Sequence, residues 1–211
     1  MRRVIIITLG LVLLSTAACA ANSASSRSTP THPQAANLHH HAATAITTDV
    51  RNLADQLASG RLATARYAIN LRAAKADGYQ ILTRMIPDMG WHFLNPAIQG
   101  FDVTKPPILV YERHGRSWQL AALEWVFTEQ PATPPLPGAT YGSFAAACHY
   151  KDGTFVAARV QELCPERSPE SGARFNFWHP NLVTLHVWLW YPNPDGLYNG
   201  TNPLIHPFNH S

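Results

Sequence analysis

The chain has 211 residues, 46% of them hydrophobic, 10% aromatic and only 14% charged. That is the composition of a folded domain, and it excludes disordered, collagen-like and coiled-coil architectures. The formal net charge is +3, and without Arg2 and Arg3 it is 14 basic against 13 acidic residues, so neither a polyanion-binding surface nor a nucleic-acid partner is expected.

The chain opens with a charged Met1-Arg2-Arg3, continues through an apolar run from Val4 to Leu14, and passes into small residues from Ser15 to Ala21. These are the three regions of a secretory signal. The apolar run is too short for a spanning helix, which needs about 20 residues. Thr16-Ala17-Ala18-Cys19 is similar to a bacterial lipobox, with Thr where Leu is usual, while Ala18-Cys19-Ala20 also satisfies ordinary signal peptidase. The favoured reading is a lipoprotein: signal peptide 1–18, lipidation at Cys19, and a membrane partner through that anchor. Residues 19–45 are polar and small and contain His32 and His39-His40-His41, the composition of a flexible tether. A single domain is expected over 46–211.

Capping oxygens at Thr47-Thr48-Asp49 precede Val50, Leu53, Ala54 and Leu57 at helical spacing. Past Gly60, one face of a second helix, or of the same helix after a kink, runs through Leu62, Ala65, Ile69, Ala73 and Ala76 and stops at Gly78. The period then changes to two. Tyr79–Thr83 reads as a strand closed by the Pro87-Asp88-Met89-Gly90 turn, and Ile108–Tyr111 and Trp118–Phe127 form a hairpin about His114-Gly115. A smaller hairpin is expected around Asp152-Gly153. Leu182–Tyr191 is the longest alternating strand, with Val183, Leu185, Val187 and Leu189 on one face and Thr184, His186, Trp188 and Trp190 on the other. From Pro192 onward the chain is turn chemistry. Helices first and strands afterwards predict an α+β fold, with N-terminal helices packed on an antiparallel β-sheet.

With Cys19 lipidated or removed, Cys148 and Cys164 remain as an even pair, which reads as one disulfide in an oxidising compartment. A rival use, Cys148, His149 and Cys164 as metal ligands, lacks the paired-cysteine spacing of zinc sites.

No Gly-x-Ser-x-Gly elbow, phosphate loop, His-Glu-x-x-His or dinucleotide fingerprint occurs. What remains is polar residues inside apolar stretches: His92 after the Pro-Asp-Met-Gly turn, Glu124 in Leu123-Glu124-Trp125, and His186 in Leu185-His186-Val187. Buried polar groups need partners, and mutual pairing supplies them. Converged, the three form a ligand set for a divalent metal, Zn²⁺ first, with His149 and His179 as further ligands. The alternative is three separately satisfied residues. A Trp188/Trp190 stripe on the His186 face could also serve a sugar cleft, although such stripes are more often core.

At these residues the chain resembles an uncharacterised family of exported bacterial proteins and lipoproteins. Gly90-Trp91-His92-Phe93-Leu94-Asn95-Pro96, Leu123-Glu124-Trp125, Leu185-His186-Val187-Trp188-Leu189-Trp190 and Asn193-Pro194-Asp195-Gly196 with Asn202-Pro203 carry the resemblance. It spans approximately residues 60–205, and the chain departs from the family's shorter pattern in the Cys148 to His179 stretch. The resemblance implies a shared fold and a shared polar site, and no activity. The functional expectation is an exported, membrane-anchored protein with a non-catalytic His/Glu metal pocket. The alternatives are a metal-dependent hydrolase or lyase, and an envelope structural protein without a small-molecule site.

Overall fold

The computed structural model describes residues 34–210, with side chains from residue 48 onward. The leader, Cys19 and His32 lie outside the described residues. So do the side chains of His39, His40 and His41.

Helix α1 spans Gln34–Thr64 and thus takes in the end of the segment read as a tether; a 3₁₀ turn, Ala65–Tyr67, and a short helix α2, Leu71–Ala76, follow it. The Asn70 side chain caps α2 by accepting from the Ala73 N–H. Everything after Gly78 is strand, turn and 3₁₀ helix. β1 (Gln80–Ile86), β2 (Gly90–Leu94), β3 (Ile108–His114), β4 (Ser117–Phe127), β5 (Gly142–Phe144) and β9 (Leu182–Val187) form a six-stranded sheet in the order β1-β2-β3-β4-β9-β5. β6 (Ala147–Tyr150), β7 (Phe155–Ala157) and β8 (Phe175–His179) form a second sheet in the order β7-β6-β8. All pairings are antiparallel.

This corrects the α+β expectation. The body is mainly β, built from two antiparallel sheets, and is not a layer of helices packed on one sheet. The helical periodicity misled because only part of its apolar stripe packs: Leu53 and Leu57 lie against the main core, but Val50 is 62% exposed, Leu62 80% and Ile69 83%. The second predicted helix is also broken, since the chain leaves helical geometry at Ala65–Tyr67 and restarts at Asn70. Among the described residues no helix is long and apolar enough to cross a membrane.

The strands bury side chains on both faces of the larger sheet. One face carries Phe93, Leu109, Tyr111, Leu123, Trp125, Leu185 and Val187 into the main core, where Tyr67 and Leu71 join them. The other face carries Ile108, Val110, Ala121 and Ala122, and with them the polar residues considered below. A bulge in β4 sets this arrangement. Val110 pairs with Ala122 but Tyr111 pairs with Leu120, so Ala121 is an extra residue and its carbonyl leaves the ladder. That carbonyl accepts from the N–H groups of Trp190 and Tyr191, each at 3.0 Å. β9 ends at Val187 rather than at Tyr191, because the chain turns there to reach this acceptor. The expected alternation ends with it: Trp188 stays on the Ile108 face, whereas Trp190 packs with the main core and donates to Thr64 Oγ1.

The smaller sheet is fastened at both ends. Cys148 and Cys164 form a disulfide, which removes both from any metal site and corrects the rival Cys148/His149/Cys164 reading. The Asp152-Gly153 turn docks on β1: Arg84 pairs with Asp152, and the Arg84 N–H donates to the Gly153 carbonyl at 2.9 Å. Gly153 has φ +84°, and a Cβ there would stand 2.8 Å from the Ile81 side chain, so this contact requires glycine. The disulfide closes a loop over a sequence separation of 16, and Cys148→Ser with Cys164→Ser should cost about 3 kcal/mol of stability in the loop-entropy model. Urea unfolding of the double variant against the oxidised parent measures this; an unchanged midpoint would show that the small sheet holds without the bridge.

Candidate metal centre

His92, Glu124 and His186 stand on three different strands of the larger sheet and face the same side. Glu124 on β4 is the direct cross-strand partner of His186 on β9. His92 lies on β2, opposite Val110, which in turn lies opposite Ala122. Glu124 is therefore one same-face step along β4 from the row of His92, and β3 separates the two strands with the aliphatic Ile108 and Val110. All three are buried. His186 Nε2 is 3.2 Å from Glu124 Oε1, and His92 Nε2 is 3.6 Å from Oε2. One ligand atom from each residue lies within 4.8 Å of the others, and the imidazole centres are 5.7 Å apart. The carboxylate thus lies between two rings and offers one oxygen to each.

A second bulge orients His92. On β1, Ile81 pairs with Phe93 but Thr83 pairs with His92, so Leu82 is the extra residue. The register brings Thr83 Oγ1 to 2.8 Å from His92 Nδ1, where they share a hydrogen bond. With Nδ1 donating to the hydroxyl, Nε2 turns its lone pair toward Glu124, the arrangement that fixes metal-bound histidines. His186 is different. Its Nδ1 is buried with no hydrogen-bond partner among the described residues, and its Nε2 approaches Glu124 at an angle that falls short of a hydrogen bond. A buried imidazole left this way is costly unless something else engages a ring nitrogen.

The electrostatics favour a neutral His92 ring beside an ionised acid. Burial is the main influence on His92 and pushes its pKa down to about 4, against the opposing pull of Glu124. For Glu124, burial raises the pKa, but the neighbouring His186 and then His92 outweigh it and hold the carboxyl below its usual range. A neutral imidazole and a carboxylate are the forms that bind metal.

His92 and Glu124 lie in the wall of a cavity of about 490 Å³ between the two sheets, with His186 buried against Glu124. Leu82, Ile86, Leu94, Ile108, Phe155 and Phe177 make most of the rest of that wall apolar. No protein-family model, curated protein or solved structure matches the chain. The site must be read from its own chemistry. His149 and His179 also line the cavity, from the smaller sheet, and pair with each other rather than with the trio. Trp188 is buried with its indole N–H donated to the Asn199 carbonyl, while Trp190 lies under Arg61. The two tryptophans form no common platform, so the sugar-cleft reading has no geometry behind it.

Sequence reasoning missed one buried acid. Glu112 on β3 is 3% exposed and its Oε2 has no partner among the described residues. It follows directly on the apolar run Ile108–Tyr111, the same context that singled out Glu124, and that context was the available signal.

Proposed function

We propose that the protein binds a divalent transition metal, Zn²⁺ first, through His92, Glu124 and His186 beside an apolar cavity, as an exported and N-terminally lipid-anchored protein. The observation that carries the metal reading is the carboxylate of Glu124 set between two buried imidazoles, one of them with an unengaged nitrogen. Two imidazoles and one carboxylate suit Zn²⁺, and three protein ligands leave a position for water or a guest molecule. The disulfide supports the export reading, because such bonds persist in oxidising compartments.

Binding without hydrolysis is favoured by the acid count. A metal-activated water needs a nearby base that is not itself a ligand. Among the described residues lining the cavity Glu124 is the sole carboxylate, and it is committed to the centre.

Zinc analysis of the full chain, purified without a histidine tag, tests the assignment. His186→Ala and, separately, His92→Gln should each lower bound zinc by one equivalent per chain, with the far-ultraviolet circular dichroism of the parent retained. Zinc content unchanged by both substitutions would overturn the site. Mass spectrometry of the mature N-terminus tests the anchor: a diacylglycerol-modified Cys19 supports it, and an unmodified terminus rejects it.

A further inference from the structure

We infer that His149 and His179 form a second metal-binding pair, on the smaller-sheet wall of the same cavity, for a first-row divalent ion of the Zn²⁺ class. It uses none of the ligands of the first centre, so either site can fail without the other.

The inference starts from proton bookkeeping. His149 Nδ1 lies 3.1 Å from the Leu82 carbonyl oxygen, and His179 Nδ1 lies 2.6 Å from the Pro180 carbonyl oxygen. A carbonyl only accepts, so both Nδ1 atoms carry hydrogen and donate. In neutral imidazoles each Nε2 is then a bare lone pair. These two nitrogens face each other at 3.1 Å. Two lone pairs at that distance repel unless a cation, either a proton or a metal ion, stands between them.

The ring placement distinguishes the two. Each Nε2 sits about 1.2 Å from its ring centre, so a proton on the straight line between the nitrogens would set the centres about 5.5 Å apart. An ion about 2.05 Å from both nitrogens sees them under about 98°, and with each ring aimed at it the centres stand about 4.9 Å apart. The observed separation is 5.0 Å, with the ring planes inclined at 38°. The two rings therefore do not lie end to end along the line that joins the nitrogens, and their separation is the one expected for two ligands of one ion.

The surroundings hold this geometry in place. His149 is stacked on Phe177 at 4.9 Å and on Phe155 at 5.6 Å, and His179 on Phe144 at 5.1 Å. Both Nδ1–H groups are tied to backbone carbonyls, the usual support of a metal-bound imidazole. The Leu82 carbonyl is free to accept because Leu82 is the bulged residue of β1. Its neighbour Thr83 meets His92 Nδ1, so two successive residues of one strand orient one histidine of each centre. The remaining coordination positions of the pair fall to water, hydroxide or a donor atom of a guest in the cavity.

The test is long-range ¹H–¹⁵N correlation of the imidazoles in the full-length, untagged, metal-free protein, titrated with zinc chloride and assigned with His149→Gln and His179→Gln. Because the readout is residue-specific, the histidines near the N-terminus do not confuse it. In metal-free protein both Nε2 signals should be of the lone-pair type, and zinc should move them together to the metal-bound range, saturating at one added equivalent for this pair. His179→Gln should abolish the shift at His149 and lower bound zinc by one equivalent, whereas His186→Ala should leave the shift intact. An Nε2 that carries a proton throughout the titration, or that zinc does not move, would overturn the second site. The parent spectrum alone decides this if a variant does not fold. Loss of zinc in His186→Ala with no response at His149 and His179 would leave the first centre standing and remove the second.

Discussion

With the opposing titration of Glu112 removed by Glu112→Gln, metal-free protein is expected to lose about 4 kcal/mol of unfolding free energy between pH 7 and pH 5, and zinc is expected to restore most of it. The loss comes from His92 and His149, whose pKa values burial lowers to about 4. In the unfolded chain these rings titrate near the ordinary value of about 6.5. The unfolded state therefore takes up protons between pH 6.5 and 4 that the folded state refuses. Stability is fully present above 6.5 and falls as the pH drops through that window, by about 2 kcal/mol for each ring by pH 5. His179 is shifted in the same direction by burial and adds to the effect. Glu124, held below its usual range by the histidines beside it, contributes only under more acid conditions. Zinc on the Nε2 atoms competes with the proton for the same lone pairs and displaces the loss to lower pH. Urea titrations at a series of pH values, with chelator and with zinc, measure both limbs. His149→Gln should remove about half of the metal-free slope. A metal-free stability that stays level from pH 7 to pH 5 would show that neither ring is held neutral by its surroundings.

How far the site could be read beforehand follows from what each residue needs. His92, Glu124 and His186 stood out because a polar side chain within an apolar strand must find a partner, and that requirement is written in one dimension. Their meeting was not, because it depends on the β4 and β1 bulges, and the insertion of one residue at Ala121 or Leu82 leaves no mark in hydropathy. The hairpins of β3 with β4 and of β6 with β7 were legible from alternation and from glycines at Gly115 and Gly153, both of positive φ. The strands β2, β5 and β8 were not singled out: β5 has three residues, and β8, Phe-Asn-Phe-Trp-His, has too few positions for a period to show. The helices misled for a different reason. Leu62 and Ile69 recur at helical spacing, yet these two side chains remain in solvent, while the helical segment meets the main core through Leu53, Leu57, Tyr67 and Leu71 instead.

Replacing Glu112 by Gln should stabilise the protein by about 3 kcal/mol at pH 8 and by little at pH 5. Burial raises the Glu112 pKa to about 7, and no cation stands in an ion pair with it among the described residues. Its Oε2 is buried without a hydrogen-bond partner, and the Tyr191 hydroxyl, itself pushed up by burial and then by Glu112, offers no positive charge. An acid whose folded pKa lies above its unfolded one is held in the protonated form by folding. Between pH 4.5 and 7 the unfolded state gives up its proton first, so stability declines across that window and remains low above it. The direction is opposite to that of the buried histidines, and the two opposing slopes place the stability maximum of the metal-free protein near neutrality. The neutral amide of Gln keeps the shape of the side chain and removes the ionisation, so the decline between pH 4.5 and 7 disappears and the acid limb set by the histidines becomes steeper. Thermal unfolding of Glu112→Gln beside the parent at pH 5 and pH 8 separates the two contributions. Equal midpoints at pH 8 would mean that the carboxylate reaches water through the neighbouring surface cleft, which Glu112 lines together with Arg72, His114 and Tyr191.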